Sequence, residues 1–309
     1  VLRIDATEGS PTAAQLGQLL AACPSLTELD LQFTVLNDQG LEAVLTHGPD
    51  ITSLTLGSIR AEHSFADKVC KWERLCVTGK VDYSHVQPSV LLLAGLPLRT
   101  VTDLVFWGAR GLSDLQLPLS RVPAAQLPVI LRQAATNLAS CPAWQAGSKG
   151  RVSLKGDPWL ALDNPAVFDG QQHIQLIEAL TPLGGPAVKQ VEVSINGAIF
   201  QWGPPEVQAL ARSLGGQVTS LQLGHCILLP DYWVALNECF PALTSLHLLQ
   251  SVTCSASDVA IFCSTRAADH PFTLYLRGNV YDAIHGQQVQ ASLLARGMAH
   301  VRVVRVAQV

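Results

Sequence analysis

Charge is scarce in this sequence. Asp, Glu, Lys and Arg make up 14% of the 309 residues, and Lys and Arg total only 20, with no basic run. Binding to nucleic acid without regard to sequence needs a dense Lys/Arg surface, so the scarcity argues against a nucleic-acid partner. The formal net charge of −4 is spread along the chain, with no acidic or basic tail. Long hydrophobic runs are missing too, although 48% of residues are hydrophobic. The longest candidate, VLLLAGLPL at 90–98, is broken by Gly and Pro and is too short to span a bilayer. No membrane span is expected, and the apolar residues must be buried by folding.

The eight Cys, at 23, 70, 76, 141, 226, 239, 254 and 263, form no C-x-x-C. Cys70 and Cys76 have five residues between them and no His cluster beside them, so zinc is not expected. A chain this long does not need disulfide staples, and buried free thiols are the plain reading. There is no Asn-x-Ser/Thr acceptor, which favours an intracellular and, by default, cytoplasmic protein. The chain starts at Val1, has no signal peptide and carries its single Met at 298. It is therefore expected to be part of a longer chain. The motifs G-x-G-x-x-G, Walker A, H-E-x-x-H and G-x-S-x-G are all absent. The reading is of a protein that is not an enzyme and holds no cofactor.

What is present is repetition. LTELDLQFTVL begins at 26, ITSLTLGSI at 51, WERLCVTGK at 72 and VTDLVFWGA at 101. VKQVEVSINGA follows at 188, VTSLQLGHCIL at 218, LTSLHLLQSV at 243, PFTLYLRGNV at 271 and VRVVRV at 301. Each fits apolar-x-x-apolar-x-apolar; VLRID at 1 and RVSLKG at 151 fit in part. The x-L-x-L core predicts a short strand whose alternate side chains point inward. Between these strands, apolar residues recur at spacings of three and four, predicting helices over 12–22, 38–47, 88–95, 124–140, 171–181, 204–214, 231–240, 256–267 and 286–297. Pro205 near the start of one helix and Gly215 after it are start and stop signals, and Asp38 and Ser255 are expected N-caps.

The stretch at 218 completes the pattern L-x-x-L-x-L-x-x-N/C-x-L through Val218, Leu221, Leu223, Cys226 and Leu228. Asn196 and Asn279 stand where Cys226 does. This resembles the leucine-rich repeat. LNDQGLEAVL at 36–45, and Cys23, Cys141 and Cys239 just before the following strands, resemble the cysteine-containing subtype found in F-box proteins. No F-box is visible in this chain. The resemblance implies an α/β fold, a single solenoid over 1–309 of about ten repeats, with a parallel sheet on its concave face and helices on its convex face. Irregular segments at 108–123 and 144–170 read as insertions or as degenerate repeats.

On the concave face, outward positions are those flanking the second and third apolar residues. They make the face acidic at its N-terminal end, through Glu28 and Asp30, and weakly basic at the other, through Arg277 and Arg305, with Val303 also outward. The expected partner-binding residues are Trp107, Arg74, Glu192, His247, Tyr275 and Arg277, because exposed aromatics beside Arg are the composition of binding hot spots. Trp107 is read either as an anchor or as packed under the 108–123 segment. His225 and His247 fall on adjacent strands, but a metal site is disfavoured because Cys226 should point inward.

The expected function is a protein-binding scaffold or adaptor. The alternatives are a substrate receptor of a ubiquitin ligase with its F-box outside this chain, a small-ligand sensor, or an RNA-binding subunit. The strands VLRID and VRVVRV at the two ends look uncapped, which favours a subunit of a larger assembly.

Overall fold

The structure, a computed structural model, describes residues 1–4, 11–60, 64–78, 90–106, 114–117, 119, 122–147, 150–156, 169–195, 200–229, 231–249, 256–266 and 270–306. The fold is α/β with parallel sheets. The chain divides into two compact units, Val1–Gln116 with Gln133–Ser148, and Leu117–Arg132 with Lys149–Val309.

In the first unit, strands β1 (Leu2–Arg3), β2 (Glu28–Asn37), β3 (Ser53–Arg60), β4 (Arg74–Val77) and β5 (Asp103–Phe106) lie side by side in chain order, all parallel. The short strand β6 (Asp114–Leu117) falls across the division between the units. In the second unit, β7 (Arg151–Gly156), β8 (Gln190–Ser194), β10 (Ser220–Gly224), β12 (Ser245–Leu248), β13 (Phe272–Arg277) and β14 (Val301–Val306) are again parallel neighbours in chain order. Strands β9 (Phe200–Trp202) and β11 (Cys226–Leu228) form a small parallel pair of their own. The strands expected at 188–193 and 218–223 are adjacent, with Val191 opposite Leu221 and Val193 opposite Leu223. The segment 144–170 contributes β7 to the sheet.

Helices fall in all nine expected ranges, and Pro142–Gly147 and Gly278–Ala283 add two more. In the second unit, Gly170–Glu178, Pro204–Leu214, Tyr232–Cys239, Ala256–Ser264 and Gly286–Ala295 pack against one another in chain order. Their starts are written in local chemistry. Thr12 with Gln15, and Asp169 with Gln172, each exchange side-chain and backbone hydrogen bonds that satisfy exposed N–H groups of the first turn. Asn37, not Asp38, caps Asp38–His47: its Oδ1 accepts from Gly40 N at 3.0 Å, and Asp38 is already inside the helix. Ser255 lies outside the described residues.

Strands begin in the same way six times. The two residues that open each one donate backbone N–H to a single carbonyl on the preceding strand's approach. Those carbonyls are Thr27, Thr52 and Glu73 in the first unit, and Gly150, Lys189 and Thr219 in the second, at 2.7–3.0 Å. The hydroxyls of Thr52, Thr102, Thr219 and Thr244 donate to the same carbonyls at 3.1–3.3 Å. Alternation follows from that fixed start. Leu29 and Leu31, Leu54 and Leu56, Leu221 and Leu223, and Leu246 and Leu248 are buried. Residues between them are mostly half-exposed. Parallel sheets are commonly buried on both faces and read as continuous apolar runs. These strands alternate, so one face of each sheet carries the polar side chains.

The last strand corrects one expectation. Phe272 is inward and donates its N–H to His300 O at 3.0 Å, which brings Val301 beside Phe272 and Val303 beside Leu274. Val303 is therefore inward, only 8% exposed, and Arg305 falls opposite Leu276. Strand alternation then turns Arg302 and Val304 outward, a one-residue slip that exchanges every side chain between faces. Arg305 reaches Asp282 at 2.8 Å instead.

Strand β14 also ends its sheet, and its edge is not left open. Gln290 of helix Gly286–Ala295 donates Nε2 to Val301 O at 3.3 Å and accepts Val303 N at Oε1, 2.6 Å away. One side-chain amide thus stands in for the peptide group of a further strand and blunts an edge that could otherwise template pairing. Gln290→Ala is expected to lower stability by about 1–2 kcal/mol in urea denaturation, the loss of two hydrogen bonds partly replaced by water. A variant as stable as the parent would show that water serves this edge equally well.

Candidate functional site

The second unit's polar sheet face gathers four of the expected residues. Register places Glu192 of β8 beside Gln222 of β10, Gln222 beside His247 of β12, and His247 beside Tyr275 of β13. Ser153 of β7 and Val304 of β14 extend this row on either side. Neighbouring strands lie ~4.8 Å apart. Side chains in one row can therefore touch, and the rings of His247 and Tyr275 stack with centroids 4.2 Å apart and planes 11° from parallel.

The row differs in character from end to end. Glu192 is only 7% exposed. Its Oε2 accepts from Arg151 Nη2 at 2.6 Å and from Ser153 Oγ at 3.0 Å, with Lys155 Nζ at 3.7 Å. Two cations and a hydroxyl thus compensate one nearly buried carboxylate, which fixes the β7–β8 end as a structural cluster. Burial lowers the pKa of His247, and the charge of Glu192 only partly opposes that shift. Burial also lowers the pKa of His225, with Arg277 pushing in the same direction. Both rings are therefore neutral at pH 7. His247 thus meets Tyr275 as an uncharged aromatic ring.

Arg277 follows Tyr275 by two residues on β13, on the same face. Arg302 lies beside Thr273 on the neighbouring strand, at the other end of the ring stack. Neither has a carboxylate partner among the described residues. Sequence reasoning missed Arg302 because it placed β14 one residue out of register. It also passed over Arg151, Ser153 and Lys155, although RVSLKG fitted the strand motif in part.

Arg74 lies elsewhere, on β4 of the first unit, where it pairs with Asp103 at 3.3 Å. On that face Arg3 also lies 3.8 Å from Asp30. Trp107 lies outside the described residues. Cys226 is buried, as expected for an inward position. Among the described residues, no group of three or more His, Cys, Asp or Glu side chains could hold a metal ion, and no helix is long and apolar enough to cross a membrane. Neither a family model nor a curated protein matches this chain.

Proposed function

We propose that the chain is a leucine-rich repeat protein of the cysteine-containing type, and that it works as a protein-binding scaffold through the polar face of its parallel strands. The recurring L-x-x-L-x-L motif, the identical strand starts and the one-sided alternation of parallel strands support the repeat reading. In a solenoid of this kind the polar strand face is concave.

The observation that carries the binding reading is the His247–Tyr275 stack, half-exposed and flanked by Arg277. A Tyr ring offers a large contact area with a polar tip, and Tyr with Arg is the usual composition of an interface centre. Tyr275→Ala should weaken binding of a protein partner by about 1–2 kcal/mol, roughly tenfold, while loss of the stack on His247 lowers the melting temperature by only a few degrees. The check is affinity capture with the parent and the variant, followed by titration of any purified protein that the variant loses. If every captured protein binds both equally, the partner surface lies away from this face.

A further inference from the structure

We propose that the β13–β14 face of the second unit binds an extended acidic peptide that carries two carboxylates four residues apart, with an apolar or aromatic side chain midway between them. This rests on the binding role given above to the strand face and names the chemistry of its partner.

Ion pairing on the strand faces is selective. Among the described residues, the outward-facing cations Arg3, Arg74, Arg151 and Lys155 each have a carboxylate within 4 Å: Asp30, Asp103, and Glu192 for the last two. Arg277 and Arg302 have none. A guanidinium keeps its charge at any physiological pH and offers a planar fork that fits a carboxylate. Two such groups left without partners beside an aromatic stack make a surface whose complement is acidic.

Their spacing selects the form of the ligand. Thr273 and Arg277 are four residues apart on β13, so their Cα atoms are separated by ~13 Å at ~3.3 Å per residue. Arg302 stands next to Thr273 across the strand pair. Between the two arginines, the same face presents Tyr275 stacked on His247, with Val304 beside it. An extended peptide lying along these strands repeats every two residues on one side. Acidic residues at its positions 1 and 5 would meet Arg302 and Arg277, and an apolar residue at position 3 would meet Tyr275. The strands themselves supply the ruler. A polyanion such as RNA fits less well. Among the described residues, only two cations on this face are unpaired, a carboxylate sits in the same row at Glu192, and the chain as a whole is acidic.

The test is selection from a random-peptide display library on the immobilised full chain, followed by fluorescence anisotropy with the winning peptide. The expected consensus has Asp or Glu at two positions separated by three residues, with an apolar residue midway. Arg277→Gln and Arg302→Gln should each weaken that peptide about tenfold and leave thermal melting unchanged. A consensus with no acidic pair that is still lost in Tyr275→Ala overturns the acidic-peptide inference while leaving the strand face as the binding site. Peptides indifferent to all three substitutions overturn both. Failure to enrich any peptide overturns the inference, as does binding of a single-stranded oligouridine probe that both arginine variants abolish; the latter would assign the face to RNA.

Discussion

Leu221→Ala is expected to lower the free energy of unfolding by ~2–5 kcal/mol, whereas Gln222→Ala should stay within about 0.5 kcal/mol of the parent. Leu221 is 1% exposed and sits between Val191 and Leu246 of the adjacent strands. Truncating it opens a void between two neighbours held by parallel ladders, so little collapse can refill the space. Gln222, the next residue, points to the other face between Glu192 and His247, where water can take the place of the lost atoms. Side-chain periodicity in a strand is two, so the contrast reads the register of β10 directly. Chemical denaturation of both variants provides the measurement. Similar losses in the two would show that the ladder is displaced by one residue.

That register was legible in the sequence along most of the strands that lie between two others. Leu29, Leu54, Leu75, Leu221, Leu246 and Leu274 stand in equivalent places along their ladders. The inward Leu is required there by a neighbour on each side. The pattern weakened at β14, where that requirement ends, although β5, also last in its sheet order, keeps it with Leu104. At the sheet edge, Arg305 occupies a position filled by Leu276 one strand earlier, because among the described residues no further strand covers it and Asp282 accepts its charge. VRVVRV offers valines to either face, so composition alone could not choose between the two registers. The edge amide of Gln290 escaped notice for a related reason: it looks like any surface residue of an amphipathic helix until Val301 and Val303 are placed beside it. Much the same holds for the candidate site. His247, Tyr275 and Arg277 could be read from outward positions. That Glu192 belongs to a compensated, nearly buried cluster could not, since its partners Arg151 and Lys155 come from a strand about forty residues earlier.

Acid should destabilise the second unit through His173, by about 3 kcal/mol between pH 6.5 and pH 4. His173 is 2% exposed, on the first turns of helix Gly170–Glu178, and its ring stacks on Phe200 with centroids 4.1 Å apart. Burial lowers its pKa from 6.5 to about 4, and the nearby charge of Asp169 opposes that shift without cancelling it. The direction of the effect follows from proton counting. Below pH 6.5 the unfolded chain binds a proton at this imidazole that the folded chain refuses. Stability from the buried neutral ring is therefore complete above pH 6.5 and is lost progressively as the pH falls through the folded-state value. His225 and His247, whose pKa values are lowered by burial as well, add loss of the same sign. His173→Phe keeps an aromatic ring against Phe200 and removes the titrating group. Urea unfolding at pH 7.5 and pH 4.5 should then show a smaller acid-induced loss in the variant than in the parent, by an amount of the order of 3 kcal/mol. Equal losses in the two proteins would mean that His173 is protonated in the folded state at pH 4.5, and that the acid sensitivity arises at the other histidines or at the carboxylates.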